Sequence, residues 1–282
     1  VVEVVNIKGK TAVILDTSAC YAEMGGQVGD TGELVQGNRL WRIVNTQRVG
    51  DAWLHSIEQP GSSHEEMEPP PVGSEVNLAV DAARRGAIQR HHTATQLLHW
   101  ALWEVVSTDI GQKGSFVGPD KLTFDFNSAP LTPEQVADVE RVVNERILDN
   151  APVFWTEVKY DHVSHRRDIR QFFGEKYGEW VRVVQIGGTP AGLNGYSMEL
   201  CGGTHCHAVG EIGLFNIVSE NAIAAGVRRI EAVAGMAAYQ RAKERLATLE
   251  SVALKVASPV PELERRIEHL LEQQRALEKQ LR

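Results

Sequence analysis

The 282 residues carry 29 Lys and Arg against 37 Asp and Glu, a formal net charge of −8. A chain of this length builds one large or two ordinary hydrophobic cores, so it needs neither disulfides nor a metal to fold, and its acidic balance argues against a surface that is basic throughout for nucleic acid. Three cysteines, an odd number, with no signal peptide and no long apolar run, read as thiols in a reducing cytosolic setting with no membrane partner.

In chain order, short strands with turn punctuation are expected at 1–5, 11–16, 40–48, 52–58 and 75–80, forming a small β-barrel over 1–80. It carries a glycine-rich run, Gly25-Gly26-Gln27-Val28-Gly29-Asp30-Thr31-Gly32, and a polar, proline-rich loop over 61–71. From 81 to about 106, apolar residues recur at helical spacing (Ala83, Ala87, Ala94, Leu97, Leu98, Ala101, Leu102, Val105). A strand is expected at 122–126, and Thr132-Pro133-Glu134-Gln135 reads as a capping box opening a helix to about 148. Strands follow at 153–160, 181–186 and 196–200, then a long apolar stretch over 212–233, which makes 81–235 a second, α+β domain.

The remainder, 236–282, is helical, broken at Ser258-Pro259-Val260-Pro261. Beyond the break Leu263, Ile267, Leu270, Gln274, Leu277 and Leu281 form a heptad seam. This coiled-coil-like tail calls for a partner helix, in a dimer or within the chain. The sequence starts without methionine and stops inside the heptads, so an excised piece of a longer protein is expected.

Chemistry concentrates in Cys201-Gly202-Gly203-Thr204-His205, where a thiolate and an imidazole flank two glycines. With His92 on the predicted helix they supply the three protein ligands of a zinc site that keeps a fourth position open. Position 96, one turn after His92, holds glutamine, whose amide oxygen is a weaker ligand or hydrogen-bonds a metal-bound water. His99 lies about 10 Å further along the axis and His91 is turned by about 100°, so neither shares this metal. His162 and His165 are read as exposed or RNA-facing, and Cys206 and His207 as spare. The arginines cluster as Arg84, Arg85 and Arg90, as Arg166, Arg167 and Arg170, and as Arg228 and Arg229. From charge alone these are solvated faces, yet local patches on an acidic body can hold a phosphate backbone.

These residues, in their order, closely resemble the editing region of alanyl-tRNA synthetases over about 11–239. The resemblance rests on Tyr21 to Gly32, on Arg90 to Leu98, on Gln112-Lys113-Gly114-Ser115, on Phe173-Gly174-Glu175-Lys176-Tyr177, on Cys201 to His205 and on Gly226-Val227-Arg228-Arg229-Ile230-Glu231. The family usually has histidine where this chain has Gln96, and threonine, proline and phenylalanine where it has Ser18, Ala19 and Cys20. The resemblance implies an editing domain of the threonyl/alanyl-tRNA synthetase second-additional-domain type that hydrolyses alanine tRNA mischarged with serine or glycine.

It further implies Zn2+ held by His92, Cys201 and His205 with Gln96 or water in the fourth place, and a substrate pocket of Thr95, Gln112, Gly202 and Gly203. Contacts to the tRNA acceptor end are expected from Gly25, Gly26, Arg84, Arg85, Arg90 and Lys113. No general base is assigned. No ATP-binding segment is seen, so ATP and Mg2+ would belong to an aminoacylation domain outside this sequence. The alternatives are a free-standing trans-editing factor and a zinc-stabilised RNA-binding module without chemistry.

Overall fold

A computed structural model of the chain describes residues 1–7, 9–61, 68–172 and 177–281. Most of the polar loop over 61–71 and the Phe173-Gly174-Glu175-Lys176 part of the fourth family block lie outside the described residues. The chain divides into two compact units, Val1–Gly235 and Met236–Arg282.

The first unit opens with an antiparallel sheet of β1 (Glu3–Ile7), β2 (Lys10–Ile14), β3 (Gly32–Gln36), β4 (Arg39–Val49), β5 (Ala52–Glu58) and β6 (Asn77–Val80) in the order β1-β2-β5-β4-β3-β6. Alternation turns Val13, Leu34, Trp41, Ile43 and Ile57 into its core. The expected barrel is not found as a closed one. Among the described residues β1 and β6 stand at opposite ends of the strand order with no ladder between them. The N-terminal ammonium donates to Ser74 O at 2.7 Å and Gly73 N to Val1 O at 2.9 Å. These two bonds tether the chain start to the segment before β6, beside a cleft of about 780 Å3 lined by Val1, Leu15 and Leu78. The expectation also missed β3, which begins at Gly32, the last residue of the glycine run.

Helix α1 (Ala82–Val105) begins where Asp81 accepts the backbone N–H of Arg84 at 3.0 Å. It is buried on most sides from Ile88 to Leu102 and forms the axis of the larger core. Around it lie α2 (Pro133–Leu148), capped by the Thr132/Gln135 box, and a four-stranded antiparallel sheet. That sheet comprises β7 (Gln112–Val117), β8 (Leu122–Asn127), β12 (Phe215–Ala224) and β13 (Val227–Ala234), ordered β12-β13-β8-β7. The apolar stretch over 212–233 is thus a hairpin. β7 escaped the sequence reading because half of it is polar and its register shifts between Gln112 and Gly114.

A second small sheet, in the order β11-β10-β9, joins β9 (Val153–Lys159), β10 (Trp180–Ile186) and β11 (Ser197–Leu200). A single helical turn, α3 (Tyr160–Val163), follows β9. The second unit contains α4 (Met236–Lys255) and α5 (Leu263–Leu281), separated at the expected proline break, and α5 leaves Leu271, Leu277 and Leu281 of its apolar residues exposed. Among the described residues no helix is long and apolar enough to cross a membrane.

Candidate metal centre

Two elements converge to make the site. Helix α1 presents His92 from its buried face, and the chain leaving β11 bends at once to present Cys201 and His205. The three donor atoms lie within 4.8 Å of one another. Cys201 Sγ is 3.3 Å from His92 Nε2 and 3.2 Å from His205 Nε2. A tetrahedral ion with Zn–S near 2.3 Å and Zn–N near 2.0 Å separates such donors by about 3.5 Å, so the residues present fit a zinc ion. Burial pushes both imidazoles down to about 4, leaving them neutral at pH 7 with a nitrogen lone pair to offer.

The backbone of the ligand turn is clamped. Arg182 on β10 donates from Nε to Cys201 O at 2.8 Å and from Nη2 to Gly203 O, while Gly203 N donates to Cys201 Sγ at 3.4 Å. Gly203 lies flat against the His92 ring: a Cβ there would overlap its Cε1 and Nδ1. Only glycine lets the turn come this close to the histidine it shares the site with.

His92 and Cys201 open on a cavity of about 590 Å3 whose lining includes Thr95, Gln96, Gln112, Lys113, Gly202, Gly203, Gly25 and Gly26, while His205 lines a separate cleft with Gly202, Gly203 and Thr204. The structure therefore brings together the expected metal and substrate residues with the glycine loop. Gln96 is 1% exposed, and neither its amide nitrogen nor its amide oxygen has a hydrogen-bond partner among the described residues. Such a group costs about 1–3 kcal/mol if nothing occupies the space beside it, which points to a bound ligand or water. We expect Gln96→His to bind zinc roughly tenfold more tightly, since imidazole is the better ligand; unchanged affinity in a chelator competition would place the amide on substrate or water.

Thr95 Oγ1 donates to His91 O at 2.8 Å, so toward the cavity it can only accept. Gln112 Nε2 donates to Ser115 Oγ at 3.0 Å. Gly26, at φ +83°, packs on β7 so tightly that a Cβ would run into Ser115 O. The remaining histidines go elsewhere. His91 sits between Gly118 O (2.8 Å from Nδ1) and Ala234 N (3.0 Å from Nε2), and His99 faces Glu199. Cys206 is a core thiol pushed up to about 11 by burial.

Three of the expected tRNA-contacting arginines have internal partners. Arg84 donates to Gly29 O at 2.8 Å, Arg85 embraces the Asp30 carboxylate, and Arg90 donates to Glu211 O at 2.9 Å. They brace the glycine loop and the 3₁₀ turn Val209–Ile212 against α1, whereas Lys113 is exposed. A neighbouring cleft of about 830 Å3 shares Gln112, Lys113 and Phe172 with the metal cavity. Its lining adds Arg166, Arg167, Arg170, Tyr160 and Tyr177, with Asp109 the one carboxylate among the described lining residues.

Sequence reasoning missed four residues that shape the centre: Gln27, Thr93, Arg182 and Glu199. For Glu199 a signal existed, because two residues before Cys201 on a strand is the same face. It is the one carboxylate lining the metal cavity among the described residues, and Oε1 is 3.2 Å from His99 Nδ1.

The comparisons with known proteins agree with this architecture. Residues 181–231, which span β10, the ligand turn and the β12–β13 hairpin, match the family described as threonyl and alanyl tRNA synthetase second additional domain. Residues 1–84, the first sheet and the start of α1, match class II (A) tRNA synthetases. These matches define a synthetase-associated α+β domain. More particularly, the chain is homologous to the editing region of alanine–tRNA ligases. The ligase of Akkermansia muciniphila is 46% identical over 252 residues, 89% of this chain and 26% of that protein. Those of Hydrogenovibrio crunogenus (41% over 271 residues, 96% and 30%) and Opitutus terrae (40% over 284 residues, 100% and 29%) are similar to it throughout. The chain spans less than a third of the length of these relatives.

Proposed function

We propose that this chain is the editing part of an alanine–tRNA ligase, acting in the cytoplasm to hydrolyse alanine tRNA mischarged with serine or glycine. The observation that carries the reading is the His92–Cys201–His205 cluster, two of whose members, His92 and Cys201, line one cavity with Thr95 and Gln112. A pocket selecting alanine rejects an added hydroxyl by only about a hundredfold and a missing methyl by about 1–3 kcal/mol, so a second, hydrolytic site is needed. The ion that suits one thiolate and two imidazoles is zinc, and when bound it supplies a Lewis acid beside the ester.

The chain's own residues hold the substrate. The Thr95 lone pairs face the cavity and accept the hydroxyl of a seryl group. Gln112 narrows the opposite wall. The terminal nucleotides of the acceptor end lie along the adjoining cleft, where Lys113 and Arg167 meet phosphates and Tyr160 and Tyr177 offer stacking faces. The proton of the attacking water is relayed through the substrate's neighbouring ribose hydroxyl, which gives its own proton to the departing ribose oxygen, and no side chain is assigned as the base. Within the compact unit Val1–Gly235 the proposed domain limits are 1–80 for the sheet and 81–235 for the deacylase, and the heptad seam of α5 pairs in a dimer or within the parent chain.

The decisive experiment incubates an excess of the chain with seryl-tRNA specific for alanine and follows release of serine. An ester that stays intact at enzyme excess would leave only a tRNA-binding module. On the same assay Thr95→Val is expected to slow seryl-tRNA cleavage roughly 2- to 12-fold, the worth of one hydrogen bond of about 0.5–1.5 kcal/mol, while glycyl-tRNA cleavage stays within about twofold. Equal losses on both would sink the hydroxyl-recognition role.

A further inference from the structure

Gln27 is fully buried and reaches the metal centre from the first sheet's glycine-rich segment. Its Oε1 lies 2.9 Å from the backbone nitrogen of Thr204 and 2.6 Å from His92 Nδ1, and its Nε2 lies 3.0 Å from Thr204 Oγ1. A backbone N–H can only donate, so the amide atom facing Thr204 N is the oxygen. An oxygen facing His92 Nδ1 in turn requires a proton on that nitrogen. The lone pair of His92 is thereby confined to Nε2, the nitrogen directed at Cys201.

The same logic applies to the second imidazole. The Thr93 hydroxyl spends its one proton on Gln89 O at 2.9 Å, and Cys206 N donates to its oxygen at 3.0 Å. At 3.3 Å from His205 Nδ1 that oxygen can only accept, so the lone pair of His205 also sits on Nε2. The Gln27 segment is itself fixed. Gln27 N donates to Met24 O at 3.0 Å, Val28 N to Val117 O at 3.1 Å, and Val117 N to Gly26 O at 2.8 Å.

We infer that Gln27 and Thr93 are the positioning residues of the metal centre, each holding one histidine in the tautomer and orientation that ligation requires. The first sheet therefore contributes a working part of the centre through its glycine-rich segment. The inference rests on the metal reading of His92, Cys201 and His205 but on no property of the tRNA substrate. Gly26, directly before Gln27, gains a purpose in it: it lets the backbone pack hard against β7, beside the amide that reaches His92.

The test uses the whole chain, zinc in competition with a chromophoric chelator, and the visible absorption of the cobalt(II)-loaded protein. Gln27→Ala is expected to weaken zinc binding 10- to 100-fold, the usual loss on removing a partner of a metal-bound histidine, and to alter the cobalt spectrum. Gln27→Glu keeps the acceptor oxygen and should recover most of the affinity. Thr204→Val, which removes only the hydroxyl anchoring the amide, should cost a few-fold and keeps the test open if Gln27→Ala does not fold. Zinc affinity and cobalt spectrum unchanged in Gln27→Ala, or in Thr204→Val where it must stand in, would overturn the inference. Wild-type protein that binds no zinc would overturn it together with the metal reading, whereas tight zinc binding without ester cleavage counts against the proposed function alone.

Discussion

Cys201→Ala is expected to lower zinc affinity on the order of a thousandfold, about 4 kcal/mol, and to reduce cleavage of seryl-tRNA to the uncatalysed rate. Cys201 is the ligand that carries negative charge, and its sulfur lies between both imidazoles, 3.3 and 3.2 Å from their Nε2 atoms. Without it the buried His92 and half-buried His205, both neutral, have no charge to offset that of a dication, and the Gly203 N–H loses its acceptor. The fold should persist, since Cys201 is partly exposed and stands outside the core clusters. Chelator competition and a thermal melt in excess chelator, run side by side, separate the two effects. Cleavage at the wild-type rate by the metal-free variant would mean that the ester is opened by other groups in the cavity.

The second large effect concerns stability. Asp30→Ala is expected to destabilise the Val1–Gly235 unit by about 3–5 kcal/mol, the usual result of stripping the partner from a buried charge. The Asp30 side chain is 1% exposed. Its oxygens accept Arg85 Nε at 2.9 Å and the backbone N–H of Tyr21 at 2.5 Å, and side-chain pairing with Asp30 holds the guanidinium above its usual range. Removing the carboxylate strands that cation inside the protein and frees both ends of the glycine loop. Adding Arg85→Leu should return part of the loss, because the orphan charge goes with it. Denaturant melts of the single and double variants decide the matter. A single variant that loses less than about 1 kcal/mol would show the pair to behave like a surface one.

The ligands were legible because their chemistry is local: a cysteine and a histidine four apart with two glycines between, and a histidine on an obvious helix. The long central helix and the capped α2 were legible for the same reason, carried by periodicity and by a cap. What the sequence hid is what depends on distant partners. Gln27 stood in plain view beside two glycines, but nothing local says that its amide ends at His92 and Thr204, 65 and 177 residues away. A run of charge in α1 does not disclose that Arg84, Arg85 and Arg90 have Gly29 O, Asp30 and Glu211 O as partners within the fold. The closed barrel failed for a geometric reason: strand count and spacing are visible in a sequence, whereas whether the first and last strands meet depends on curvature.

The separation of the site's parts along the chain also has a bearing on its biosynthesis. When Gln27 leaves the ribosome, the turn that will receive its amide is 177 residues from being made. At about 5–20 residues per second that is roughly 10–35 s, for most of which His92, 65 residues after Gln27, is already made while Cys201 and His205 are not. The His92–Cys201–His205 cluster is therefore among the last parts of this unit to be completed, and a nascent chain halted before residue 205 lacks the geometry that a metal would need.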